Sequence, residues 1–140
     1  MKIKLLSDKA MIPYRGSEEA AGYDLYSIDS VNINPGECKL ISTGIAIQLP
    51  TGYFGAIFPR SGTAVKRGLR LANCVAVIDS DYRGEIIVAL HNHSNSPYVT
   101  KPGERIAQLI FIPYLAIELV ETENLSLTER GQKGFGSTGK

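Results

Sequence analysis

Short apolar segments alternate along this chain with turn residues, and that rhythm limits the fold more than any other feature. The segments run Ile3 to Leu6, Gly22 to Tyr26, Val31 to Ile33, Cys38 to Ser42, Ile45 to Leu49 and Tyr53 to Phe58. Punctuation falls between them at Asn34-Pro35-Gly36 and Pro50-Thr51-Gly52, where proline presets φ for a turn and glycine accepts its left-handed corner. Ala72 to Ile78, Glu85 to His91, Arg105 to Ile112 and Ile117 to Val120 continue the series. Many brief strands joined by tight turns imply an all-β sandwich, jelly roll or distorted barrel. One interruption reads differently: Ser61 stands as a cap candidate and Gly68 as a stop, which predicts a short helix through Arg67.

At 140 residues and 44% hydrophobic composition the chain has room for one domain with a real core. Composition breaks near Thr128, so residues 1–128 are expected to form the folded body and residues 129–140 a separate mobile tail. Fifteen Lys and Arg against fourteen Asp and Glu leave a formal charge of +1. No global field draws such a protein to nucleic acid or a membrane, so any anion site is local. The opening Met1-Lys2-Ile3-Lys4-Leu5-Leu6 lacks the apolar stretch of a signal peptide, which predicts a soluble intracellular protein, cytoplasmic or nuclear. Cys38 and Cys74 lie far apart and fit no metal spacing, and are expected as buried reduced thiols. His91 and His93, two apart on a strand pattern, would share a face, but no third ligand stands near them and they read as surface strand residues.

Five segments carry chemistry. The tail, Arg130-Gly131-Gln132-Lys133-Gly134-Phe135-Gly136-Ser137-Thr138-Gly139, is glycine-rich with two cations, two hydroxyls and one aromatic ring. Glycine lets successive N–H groups turn inward around phosphate oxygens, and Phe135 offers a face on which a base stacks. The same composition describes a frayed terminus. Pro59-Arg60-Ser61-Gly62 ends a strand and opens the short helix, where N–H groups, a guanidinium and a hydroxyl suit an anion; an N-cap with a solvated arginine is the plainer reading. Asp79 follows the apolar run Val77-Ile78 directly, a boundary where a carboxylate is partly desolvated and suited to act as a base. Asp81 is its rival, and both also suit a simple turn. Asp24 sits inside a strand pattern, where it serves either a hydrated Mg²⁺ or a cross-strand cation. Gln108, alone and polar in Arg105-Ile106-Ala107-Gln108-Leu109-Ile110, points to a site or lies at an edge.

In this order, Ala21-Gly22-Tyr23-Asp24-Leu25, Pro59-Arg60-Ser61-Gly62, Val77 to Gly84, Gly103 to Leu109 and the tail closely resemble the five motifs of the homotrimeric deoxyuridine triphosphatases, the dUTPases. The resemblance implies a jelly-roll subunit, with three subunits sharing Mg²⁺-dependent sites that convert dUTP to dUMP and pyrophosphate. That activity keeps uracil out of DNA and supplies dUMP for thymidylate synthesis. It further implies that Asp79 activates water and that Asp24 reaches Mg²⁺ through water. Arg60, Ser61, Gly62 and Gln108 would hold phosphates. Asn73 and Val77 would lie along the nucleoside, Asn73 at the uracil edge, and Tyr82 would pack under the deoxyribose. Arg130 would meet the γ-phosphate with Lys133 nearby, Phe135 would cap uracil, and Gly136, Ser137 and Thr138 would wrap the phosphates. Two positions depart from the usual pattern, where Ala76 and Lys133 replace glycines. The related dCTP deaminase and a non-catalytic jelly-roll binding module are the alternatives.

Overall fold

The computed structural model describes residues 1–134. In chain order its elements are β1 (Lys2–Leu5), β2 (Tyr14–Arg15), β3 (Tyr23–Tyr26), β4 (Asn32–Ile33), β5 (Cys38–Ser42), β6 (Ile45–Gln48), β7 (Tyr53–Phe58), α1 (Ser61–Arg67), β8 (Leu69–Leu71), β9 (Ala76–Ile78), β10 (Ile87–Asn92), β11 (Tyr98–Val99) and β12 (Arg105–Pro113). The largest sheet runs β2-β3-β12-β7-β9, and a second runs β5-β10-β8. Two-stranded ladders, β1-β6 and β4-β11, complete the set, and every pairing is antiparallel. The all-β reading holds, but among the described residues the ladders do not join into a closed barrel.

Alternation explains the layering. Leu25, Ile57 and Leu109 turn inward from the five-stranded sheet, while Ile41, Leu69, Leu71, Val88 and Leu90 turn inward from the three-stranded one, all within a single buried cluster. Register brings the second group together: Val88 opposes Ile41, and Leu90 opposes Leu71. Burying each such side chain contributes about 1.5–3 kcal/mol. Asn92 is one of the buried polar residues, at 0% exposure. Its amide donates to the carbonyls of Ile33 (2.9 Å) and Ser96 (2.8 Å), and its Oδ1 accepts from the Ser94 N–H (3.0 Å) and hydroxyl (2.8 Å). With its polar atoms satisfied it fastens the β10 end to the following loop and to β4.

Several expectations are corrected. Ala72 to Ile78 is not one strand, because Cys74 takes φ 61°, a left-handed value rare for a residue with a Cβ. The chain bends there and passes from β8, paired to β10, to β9, paired to β7. Ile117 to Val120 forms no strand, since no neighbouring strand offers its backbone a ladder. Cys38 and Cys74 are free thiols, as expected, but both are exposed rather than buried. Arg60, not Ser61, is the helix N-cap, with extended angles (φ −91°, ψ 135°) and no side-chain cap bond. The helix does end at Gly68 in the left-handed conformation (φ 64°). His93 is exposed and lies just beyond β10, and His91 is half-buried. Among the described residues no cluster of three His, Cys, Asp or Glu could hold a metal, and no helix is long and apolar enough to cross a membrane.

Candidate active site

Gln108 lies opposite Asp24 on β3 and opposite Phe58 on β7, so residues from three distant segments meet at one level of the large sheet. Its Nε2 donates to the Pro59 carbonyl at 3.0 Å, tying β12 to the residue that precedes Arg60. Gly22 makes this possible: a Cβ there would sit 2.5 Å from Gln108 Oε1, so no larger residue leaves the amide in place. Gly22 is therefore required by packing and not by a turn.

Arg105 and Gln108, three apart, would face opposite sides of a regular strand. A bulge between Arg105 and Ala107 inserts one residue into β12, so Arg105 opposes Tyr26 while Gln108 opposes Asp24. Both then share the face of Asp24. The Asp24 carboxylate accepts from Arg60 Nε at 2.7 Å and from Arg105 Nη1 at 3.4 Å, with its side chain only 13% exposed. Of the two sequence readings of Asp24, the cross-strand cation partner is thus realised, and it comes with a second arginine. Arg105 is a cleft residue that the sequence reading did not single out; the signal available was the unexplained acid inside β3.

Arg60, Ser61, Gly62, Asp24, Arg105 and Gln108 line a cleft of about 520 Å³, open to solvent. Two guanidiniums against one carboxylate leave it cationic. Because Ser61 spends no hydroxyl on capping, its side chain and the first N–H groups of α1 are free to receive an anion.

The remaining candidates stand elsewhere. Asp79 follows Ile78, whose register partner is Gly55, whereas Arg60 lies beyond the opposite end of β7. At a strand's rise of about 3.3 Å per residue the two are on the order of 15–20 Å apart within one chain. Asp79 is exposed, not half-desolvated as the apolar boundary suggested, and Asn73, Val77 and Tyr82 beside it are exposed too. The Tyr82 N–H bonds the Asp79 carbonyl (3.2 Å), and the Tyr82 hydroxyl donates to the Glu85 carbonyl (3.0 Å). A Cβ on Gly84 would meet that ring at 2.3 Å from its oxygen, so Gly84 lets the tyrosine fold over the turn. Arg130 and Lys133 are exposed, with Arg130 Nε donating to the Lys133 carbonyl at 3.1 Å. Phe135, Gly136, Ser137 and Thr138 lie outside the described residues.

A profile of the dUTPase family matches residues 8–139. The chain belongs to the dUTPase family. It is 54% identical over 140 residues to a deoxyuridine 5'-triphosphate nucleotidohydrolase of Nautilia profundicola, covering 100% of this chain and 99% of that one. A protein of the same name from Candida albicans is 47% identical over 142 residues, covering 100% of this chain and 88% of the other. Among solved structures, the dUTPase of Staphylococcus bacteriophage 80alpha with dUpNHpp superposes at TM-score 0.92 and 32% identity, covering 99% of this chain and 98% of that one. A dUTPase variant from phage phi11 of S. aureus, described for its coordination of a structural Mg(II) ion, gives 0.81 at 28% identity over 88% and 96% of the two chains. The fold of this chain is accordingly that of the jelly-roll dUTPases. Against the family pattern Ala76 occupies β9 without distorting it, pairing with Ile57.

Proposed function

We propose that this chain hydrolyses dUTP at the α-phosphorus, releasing dUMP and pyrophosphate. The observation that carries the reading is the cationic cleft, in which Arg60, Ser61, Gly62 and Gln108 from separate motifs gather around Asp24. In this reading Arg60, Ser61, Gly62 and Gln108 bind the phosphate oxygens. Asn73 and Val77 take the nucleoside, with Asn73 on the uracil edge, and Tyr82 lies against the deoxyribose, where bulk leaves no room for a 2′-hydroxyl. Asp79 accepts a proton from the water that attacks in line with the pyrophosphate leaving group. Arg130 and Lys133 bring further positive charge, while Phe135, Gly136, Ser137 and Thr138 close over base and phosphates and exclude bulk water.

Asp24 fits a magnesium ion of a particular kind. A single carboxylate turned toward the cleft, the one acid among the described residues that line it, cannot cage a bare cation. It suits Mg²⁺ that keeps its waters and is shared with phosphate oxygens. Bound there, Mg²⁺ would supply charge to the phosphate oxygens, and Asp24 would hold it through water.

We infer further that the working unit is a homotrimer with shared sites, residues 1–128 forming the jelly-roll body and residues 129–140 the closing segment. The separation of Asp79 from Arg60 within one chain supports this, because both must reach one nucleotide. So do the bare apolar side chains of residues 114–127, among them Leu119 at 94% and Leu127 at 100% exposure. Such a protein would be soluble and intracellular, with no nucleic-acid or membrane partner.

Phosphorus NMR of the protein with dUTP and Mg²⁺ tests the activity. dUMP and pyrophosphate are the expected products, and in heavy-oxygen water the label enters dUMP. Release of orthophosphate, label in pyrophosphate, or intact dUTP would reject the reading.

A further inference from the structure

The segment Arg60-Ser61-Gly62 is carried by a helix with little to hold it. Thr63 is the only buried residue of α1, and Val65 is 85% exposed. Its placement therefore depends on its ends. At the first, Arg60 is paired to Asp24 of β3. At the second, Arg67 in the last turn forms an ion pair with Glu104, which directly precedes β12.

Glu104 is itself firmly seated. Its carbonyl accepts the Ser27 N–H at 2.9 Å, the neighbouring Gly103 N–H donates to the Ser27 carbonyl at 2.8 Å, and its Oε2 accepts the Lys101 N–H at 3.0 Å. The other carboxylate oxygen receives both the Arg67 guanidinium and the Tyr98 hydroxyl. Arg67 also donates to that hydroxyl and lies over the Tyr98 ring, 5.3 Å from its centroid. The carboxylate side chain is only 14% exposed and the Arg67 side chain 44%, so the acid end of the pair is sheltered while the guanidinium reaches solvent. Burial raises the Tyr98 phenol, with Arg67 opposing the shift, and the hydroxyl keeps the proton it donates.

Resting on the dUTP reading above, we propose that Glu104 is a positioning residue for the phosphate-binding segment, fixing α1 through Arg67 and Tyr98. Both ends of α1 are pinned to the β3-β12 ladder, which also carries Gln108. A phosphate that engages Arg60 competes with Asp24 for it and loosens the first pin. The second pin, made by residues that do not line the cleft, then keeps Ser61 and Gly62 level with Gln108. Glu104 touches no substrate in this arrangement.

Glu104→Gln keeps an oxygen for the Lys101 N–H but turns an amide toward Arg67. The expected result is binding of dUpNHpp weakened on the order of ten-fold, with deoxyuridine binding and the unfolding midpoint unchanged. KM for dUTP rises more than kcat falls. Arg67→Met gives the same loss, and the double variant is no worse than either single one, because both remove one linkage. Arg67→Lys, which restores the charge, recovers most of the affinity. Tyr98→Phe removes only the bridging hydroxyl and costs roughly three-fold, which provides a reading even where Glu104→Gln fails to fold. Equal loss of dUpNHpp and deoxyuridine, additive single losses, or wild-type dUpNHpp affinity in Tyr98→Phe and Arg67→Met would overturn the proposal. A wild-type chain that neither binds dUpNHpp nor hydrolyses dUTP would overturn the functional reading, and the positioning role with it.

Discussion

A single proton acceptor and a single glycine make the sharpest residue-scale predictions. Asp79→Asn preserves shape and removes basicity, so dUTP still binds while turnover falls on the order of 10²- to 10⁴-fold; pyrophosphate release at saturating dUTP measures it, and full activity would dismiss Asp79 as the base. Gly22→Ala acts through Gln108. The new methyl group would meet Oε1 at 2.5 Å, pushing the amide off the Pro59 carbonyl and out of the cleft. We expect kcat/KM to drop about ten-fold, with an unfolding midpoint close to wild type because the residue is only half-buried. The sequence made Asp24 legible as an acid in need of a reason, and an arginine was one of the two reasons offered. It could not show that the partners are Arg60 and Arg105, since the first depends on the strand order β3-β12-β7 and the second on a bulge whose extra residue leaves no mark in composition. The exposure of the cysteines has a related cause: thiol chemistry predicts that they are unpaired, but exposure depends on the strand face that Cys38 occupies and on the bend that holds Cys74 outside any strand.

At the scale of elements, legibility followed length and local chemistry. β5 and β7 have the bounds expected from Cys38 to Ser42 and Tyr53 to Phe58, and α1 ends at Arg67 before its glycine stop as expected, though it starts at Ser61 where that residue was expected to be the cap. β2 and β11, with two residues each, are too short for any period to register, and they exist because the fold brings each a partner, the longer β3 for β2 and the equally short β4 for β11. Ala72 to Ile78 is apolar enough for one strand, but only Ala76 to Ile78 pairs, as β9, while residues 72–75 turn the chain away from β8 toward the other sheet, a tertiary demand that overrides propensity. The tail is the element the proposed function needs and the body does not. Deleting residues 130–140 removes Arg130 and Lys133, whose side chains are exposed, and among the described residues removes no member of the core. The expected product has an unchanged circular dichroism spectrum and unfolding midpoint, with little dUTP hydrolysis. An unfolded truncation product would instead make the tail structural.

For the whole molecule, the apolar surface and the placement of the site lead to the same conclusion. Leu115, Ile117, Leu119, Val120, Leu125 and Leu127 are each at least 71% exposed, more apolar surface than an isolated domain leaves bare. Light scattering is expected to give three times the 15.2 kDa chain mass. Mixing subunits tests the sharing itself. Asp79→Asn and Arg60→Met chains are each expected to be inactive alone. In a cyclic trimer where each site takes Asp79 from one subunit and Arg60 from the next, every mixed trimer contains one site with both residues intact. Co-refolding the two variants in equal amounts should then restore roughly a quarter of wild-type activity, since about three-quarters of random trimers are mixed and each has one working site in three. Were Asp79 and Arg60 to serve the same site from one chain, no mixture would exceed the average of its inactive parents. The separation along β7 argues against that arrangement, so a flat mixing curve would count against the shared site and against Asp79 as its base.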